Sequence, residues 1–119
     1  MSELELAEDV LTSIAVLKLM DYVNDQIEWE CANARASGAD KAFVHITYNA
    51  YKQYLISAMG INYYRYVSFF RQVWMEMAEE VIYWVYEGTQ LQRYPDRYGL
   101  FRYTFKVDCK YLRNLGIIK

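Results

Sequence analysis

The apolar positions in the first third of the chain fall on two sides of one helix. At 100° per residue, Leu4, Ala7, Val10, Leu11, Ile14 and Leu17 share one side, while Val16, Leu19, Met20, Val23 and Ile27 lie largely on the other. Ser2 and Glu5 have the spacing of a capping box, and Glu3, Glu5, Glu8 and Asp9 set negative charge near the positive end of the helix dipole. With no proline or glycine before Gly38, the pattern predicts one long helix over about residues 3–35. Both of its sides need a cover. Either the helix packs on two sides, or bends, within its own domain, or Val16, Leu19, Met20, Val23 and Ile27 form a dimerisation face against a second copy.

Beyond a short linker-like stretch at residues 36–41, the period changes from helical to alternating and back. Ala42 to Ile46 is apolar and β-branched, which predicts a small buried strand. Thr47 or Asn49 can cap a following helix over about residues 48–58, in which Tyr48, Tyr51, Leu55, Ala58 and Met59 recur at helical steps before Gly60 ends it. A third helix is expected from about Asn62, with Tyr63, Tyr66, Val67, Phe70, Val73, Trp74 and Met77 on its core face. Val81 to Tyr86 is apolar on every side and fits either a strand or the buried last turn of that helix, closed by Gly88. Two strands, Thr89 to Arg93 and Leu100 to Val107, flank the turn residues Tyr94 to Gly99. In the second strand Phe101, Tyr103, Phe105 and Val107 form an aromatic inner face, and Leu100, Arg102, Thr104 and Lys106 a largely cationic outer one. A helical turn over 109–115 closes the chain.

The fold class expected from this order is mainly α with a small β-hairpin (α+β), in a single domain spanning residues 1–119. At 55% hydrophobic and 18% aromatic residues the chain has ample material for one core, so disorder is excluded as its resting state. The acidic start lacks the pattern of a secretory signal, and the longest all-apolar run, Val81 to Tyr86, is far too short to span a bilayer, so a cytoplasmic protein without a membrane partner is expected. Cys31 and Cys109 read as buried thiols of a reduced protein, with a disulfide closing a long loop as the alternative.

Net charge is only −2, yet it is unevenly spread. Residues 1–40 hold nine acids against two bases, whereas residues 91–119 hold seven bases against two acids, which points to a basic contact surface at the C-terminal end. Catalysis finds little support. The single histidine, His45, lies in the predicted buried strand, and one histidine rules out every multi-histidine metal site. There is no glycine-rich phosphate loop either, so no cofactor is implied. Glu76, Glu79 and Glu80 have a spacing that can face a cation, but without a second acidic cluster they read as a solvated helix end, and the chain is not expected to be an enzyme.

Helix, short strand, helix, glycine turn, helix and basic hairpin follow one another over about residues 42–107, and Gln53-Tyr54-Leu55-Ile56-Ser57-Ala58-Met59-Gly60-Ile61-Asn62 looks like the turn of a helix-turn-helix. In these features the chain resembles the winged-helix family of DNA-binding proteins. The resemblance implies a long N-terminal helix over 1–37, a winged-helix-like core over 42–108 and a C-terminal turn over 109–119. It also implies that the third helix reads the major groove of double-stranded DNA through Asn62, Tyr64, Arg65, Ser68, Phe69 and Gln72. Arg93, Arg97, Arg102 and Lys106 on the hairpin would then hold the phosphate backbone. The function so implied is that of a small transcription regulator acting as a homodimer. The alternative is a protein-binding module, an inhibitor or a virus-encoded adaptor, that meets a protein partner through its tyrosine- and arginine-rich surface.

Overall fold

The computed structural model describes residues 7–87 and 90–118. The capping box at Ser2 and Glu5 and the expected helix stop at Gly88 and strand start at Thr89 lie outside the described residues. Helix α1 runs Glu8–Ala36, strand β1 Lys41–Ile46, helix α2 Tyr48–Met59, a 3-10 turn Gly60–Arg65 and helix α3 Val67–Val85. Strands β2 (Gln92–Pro95) and β3 (Phe101–Asp108) and a short helix α4 (Cys109–Asn114) complete the order. The chain is thus a mainly helical α+β fold with one three-stranded antiparallel sheet, ordered β1-β3-β2.

Each boundary has a local cause. The end of α1 is closed by Gly38 at φ 79°, which lets the Ala39 N–H reach back to the Ala34 carbonyl at 2.7 Å. Thr47 caps α2 by accepting the Ala50 N–H at 3.2 Å, and Asp108 caps α4 by accepting the Tyr111 N–H at 3.0 Å. Val81 to Tyr86 resolves in favour of helix: Val81 and Ile82 are buried in the last turns of α3, and the Tyr86 hydroxyl accepts the Asp108 N–H at 3.1 Å. The hairpin turn is tied by Asp96, whose carboxylate accepts the N–H groups of Tyr98 and Leu100 at 2.8 Å each. Pro95 is therefore the last residue of β2 rather than part of the turn, and Leu100, expected on the outer face, is folded inward and buried.

One core joins every element except β2, whose four residues are exposed. Along α1 the buried positions are Leu11, Ala15, Leu19, Tyr22, Val23, Ile27, Cys31 and Ala34, a stripe at steps of three and four residues. This overturns the dimerisation face. Leu19, Val23 and Ile27 are enclosed by the chain's own β1, α2 and α3, and Val16 and Met20 pack half-buried beside them. The side left open instead carries Val10 and Leu17, which are 47% and 59% exposed. The two cysteines, expected as thiols, are joined in a disulfide, Cys31 to Cys109, that pins the last third of α1 to the start of α4.

Trp74 of α3 is fully buried at the centre of an aromatic cluster. Its ring stacks on Tyr51 at 5.6 Å, meets Tyr48 edge-on at 5.8 Å and tilts against Tyr103 at 5.8 Å, and its Nε1–H donates to the Phe101 carbonyl at 2.9 Å. The Tyr51 hydroxyl donates to the Ala15 carbonyl at 2.8 Å, so α2 is bonded to α1 through the core.

The sheet lays Ala42, Val44 and Ile46 of β1 and Tyr103, Phe105 and Val107 of β3 on the core, as strict alternation requires. Its other face carries Phe43 and His45 of β1 with Arg102 and Lys106 of β3. His45, expected inside the strand's buried run, is exposed because β1 is covered on one side only.

Candidate nucleic-acid interface

Antiparallel pairing sets the hairpin tip beside the start of α2. Ile46 of β1 is paired with Tyr103 of β3, so the chain leaves β1 into α2 at the end of the sheet where β3 begins. The first turn of α3 is brought to the same place by the 3-10 turn. There Tyr63 is buried, stacked on Phe70 at 5.8 Å and hydrogen-bonded through its hydroxyl to that of Tyr48 at 2.9 Å. The result is an open hollow of about 650 Å³ lined by residues of α2, the 3-10 turn, α3 and the hairpin.

The hollow is cationic. Lys52 of α2, Arg71 of α3, Arg97 of the hairpin tip and Arg102 of β3 line it against a single carboxylate, Asp96, which is already engaged by two backbone N–H groups. The N-terminal end of α2 adds the partial positive charge of its dipole. Tyr48, Tyr63, Tyr64 and Tyr98 supply aromatic walls. Such a surface is suited to phosphate groups with an apolar moiety beside them, since the cations are not neutralised by ion pairs among its lining residues. Among the described residues, the one ion pair is Lys18 with Asp21, on α1.

The expected site residues are partly gathered here and partly dispersed. Arg97, Arg102 and Tyr64 line the hollow. Asn62 and Arg65 are exposed beside it but lie with Tyr64 on the 3-10 turn, not on α3, which begins five residues later than expected, at Val67. Tyr63 sets this boundary, because a continuous helix from Asn62 would forgo the buried hydroxyl pair it makes with Tyr48. Ser68 and Gln72 are on the exposed side of α3, and Gln72 donates to Glu76 at 2.6 Å. Phe69 is half-buried against Phe70 and belongs to the core edge. Arg93 faces the opposite side of the hairpin from Arg102, its guanidinium 4.4 Å from the Phe101 ring centre. Lys106 projects from the outer sheet face near Phe43.

Lys52 and Arg71 were missed. Their only sequence signal is position: each lies three or four residues from another residue that lines the hollow, Asn49 for Lys52 and Val67 for Arg71.

Tyr48 forms part of the floor, and its hydroxyl is held well above its ordinary value of 10.0, first by burial and then by the hydrogen bond to Tyr63, with Arg71 opposing weakly. It is a neutral phenol, unsuited to act as a nucleophile. Tyr51 is raised in the same direction by burial. Because the fold favours the neutral rings, their contribution is complete below the unfolded value and is lost as pH rises above it. The urea midpoint is expected to hold steady from about pH 7 to 9 and to fall above about pH 10, with a shallower fall in Tyr48→Phe, which cannot ionise. Urea titrations across that range check this.

Among the described residues, no helix is long and apolar enough to cross a membrane, and no group of three or more His, Cys, Asp or Glu side chains is placed to hold a metal ion. Compared with protein-family models, curated proteins and solved structures, the chain matches none.

Proposed function

We propose that the protein binds double-stranded DNA without altering it covalently, as a small regulator of transcription would. The observation that carries this reading is the convergence of Lys52, Arg71, Arg97 and Arg102, from four segments of the chain, on one hollow in a protein of net charge −2. Cations scattered for solubility would not be collected in this way while most of the acids lie elsewhere. In this reading the hollow and the N-terminal end of α2 hold the phosphate backbone. The exposed residues beside them, Asn62, Tyr64, Arg65, Ser68 and Gln72, meet the base edges, where Arg65 suits guanine and Asn62 and Gln72 suit adenine. The order of helix, strand, helix, turn, helix and hairpin, on which the resemblance to winged-helix proteins rests, supports the same assignment. With Leu19, Val23 and Ile27 committed to the core, no dimer is invoked.

The test is a mobility-shift titration of random-sequence duplex at low salt. The wild type is expected to shift the duplex, and Arg71→Ala with Arg97→Ala to weaken binding at least about tenfold, because two phosphate contacts are removed. Arg65→Ala is expected to change the preferred sequence more than the affinity for random duplex. An unshifted duplex, or equal affinity in the Arg71/Arg97 variant, removes the basis of the proposal.

A further inference from the structure

We propose that the outer face of the sheet is a second binding surface, for single-stranded nucleic acid, which meets the hollow at the hairpin tip through Arg102. The solvent side of a half-covered antiparallel sheet is ordinarily polar, yet here Phe43 is 61% and Tyr94 40% exposed. Each ring has a cation beside it: the Lys106 ammonium is 5.8 Å from the centre of Phe43, and the Arg102 guanidinium 5.5 Å from that of Tyr94. Phe43 is opposite Lys106 in the β1–β3 register, and Tyr94 opposite Arg102 in the β2–β3 register. The two aromatic–cation pairs therefore sit on one face, separated by two strand spacings across and four residues along β3, roughly 16 Å.

A shallow hollow of about 360 Å³ lies on this face, where Tyr86 and Gln90 stand beside β3. Phe43 forms its apolar wall, Gln90, Gln92 and Thr104 supply amide and hydroxyl groups, and Lys41 and Lys106 the charge. The one acid there, Asp108, is occupied as the cap of α4. A ring to stack on, amides to reach a base edge and ammonium groups for phosphate are the combination by which proteins hold unpaired nucleotides. Duplex does not suit it, because paired and stacked bases cannot present their faces to Phe43 or Tyr94. The cationic excess favours a polyanion over a protein partner.

The surface shares Arg102 with the hollow at the hairpin tip, and because neither pair of substitutions below touches that residue, the test of the surface is independent of the duplex reading. Fluorescence anisotropy is measured with labelled oligothymidylate and oligouridylate of about 12 nucleotides, within the site sizes of such surfaces, and with a duplex. The proteins are the wild type, Phe43→Ala with Tyr94→Ala, and Arg71→Ala with Arg97→Ala. Both aromatic positions are exposed, so the fold should survive, which circular dichroism verifies. The expected result is that the wild type binds at least one single strand, that the Phe43/Tyr94 variant loses at least about tenfold in that affinity, and that the Arg71/Arg97 variant keeps it. The proposal is overturned if the wild type binds neither oligonucleotide, if the Phe43/Tyr94 variant binds like the wild type, or if the Arg71/Arg97 variant loses single-strand binding to the same degree. Failure to bind duplex alongside retained single-strand binding would count against the duplex reading alone.

Discussion

Replacing Cys31 and Cys109 together by alanine is expected to lower the unfolding free energy by about 4–5 kcal/mol. The two residues are 78 apart in sequence, and in the chain-entropy description a cross-link closing a loop of that length removes roughly 4.5 kcal/mol of freedom from the unfolded state. Both cysteines are buried, at 1% and 0% exposed, so alanine is the replacement that leaves no unsatisfied polar group. For a domain whose total stability is of the order of 5–15 kcal/mol, such a loss is a large fraction of the whole. Urea denaturation of the wild type with and without a reductant, beside the double variant, measures it. Reduced wild type and variant should agree. A variant as stable as the oxidised wild type would mean that the contacts of α4 with β1 and the Asp40 carbonyl, and not the cross-link, hold the C-terminal end.

The second large effect is expected at Trp74. Truncation to alanine removes the ring that stacks on Tyr51 and contacts Tyr48 and Tyr103, and it leaves the Phe101 carbonyl without its donor. Large aromatic truncations of this kind cost about 3–5 kcal/mol. Trp74→Phe keeps most of the packing, and is expected to lose about 1–2 kcal/mol, chiefly for the missing hydrogen bond. The consequence reaches the candidate site, because that hydrogen bond ties β3 to α3, and Arg71 and Arg102 reach the hollow from those two elements. Trp74→Phe should therefore weaken duplex binding even under conditions in which the variant is fully folded. Paired urea and DNA titrations of the same preparations separate the two effects.

Much of this fold was legible along the chain, and the failures have physical causes. The alternation of Phe101, Tyr103, Phe105 and Val107 with cationic residues identified β3 and its inner face, because period 2 leaves no other way to bury those rings. The third helix was misplaced at its start for a tertiary reason. Asn62 to Arg65 has no residue that forbids helix, and what excludes them from α3 is the burial of Tyr63 against Tyr48 and Phe70, two partners that local propensity does not see. The second side of α1 was correctly seen to need a cover, but an apolar stripe does not say which element supplies it. Leu19, Val23 and Ile27 found theirs within the chain.

The candidate site was legible only where one element carried it. Arg97 and Arg102 stood out on a basic hairpin, whereas Lys52 and Arg71 acquire meaning from the angle at which α2 and α3 converge beneath the hairpin tip. Arg93 shows the converse, since it is near the same residues in sequence but points to the other side of the strand. The pairing of Cys31 with Cys109 was open for a similar reason, because it depends on the end of β3 arriving beside the last third of α1.

Joint action of cations from separate elements on a phosphate backbone is tested most directly by the salt dependence of duplex affinity. If the four lining cations each neutralise a phosphate, the logarithm of the association constant should fall against the logarithm of salt concentration with a slope of about −3.6, and Arg71→Ala with Arg97→Ala should reduce that slope by roughly 1.8. Measured by fluorescence anisotropy, a steep slope that shrinks in the variant is the predicted result. Duplex affinity that is undetectable at low salt, or a slope unchanged by loss of the two arginines, would contradict the assignment of the hollow as a DNA-binding site.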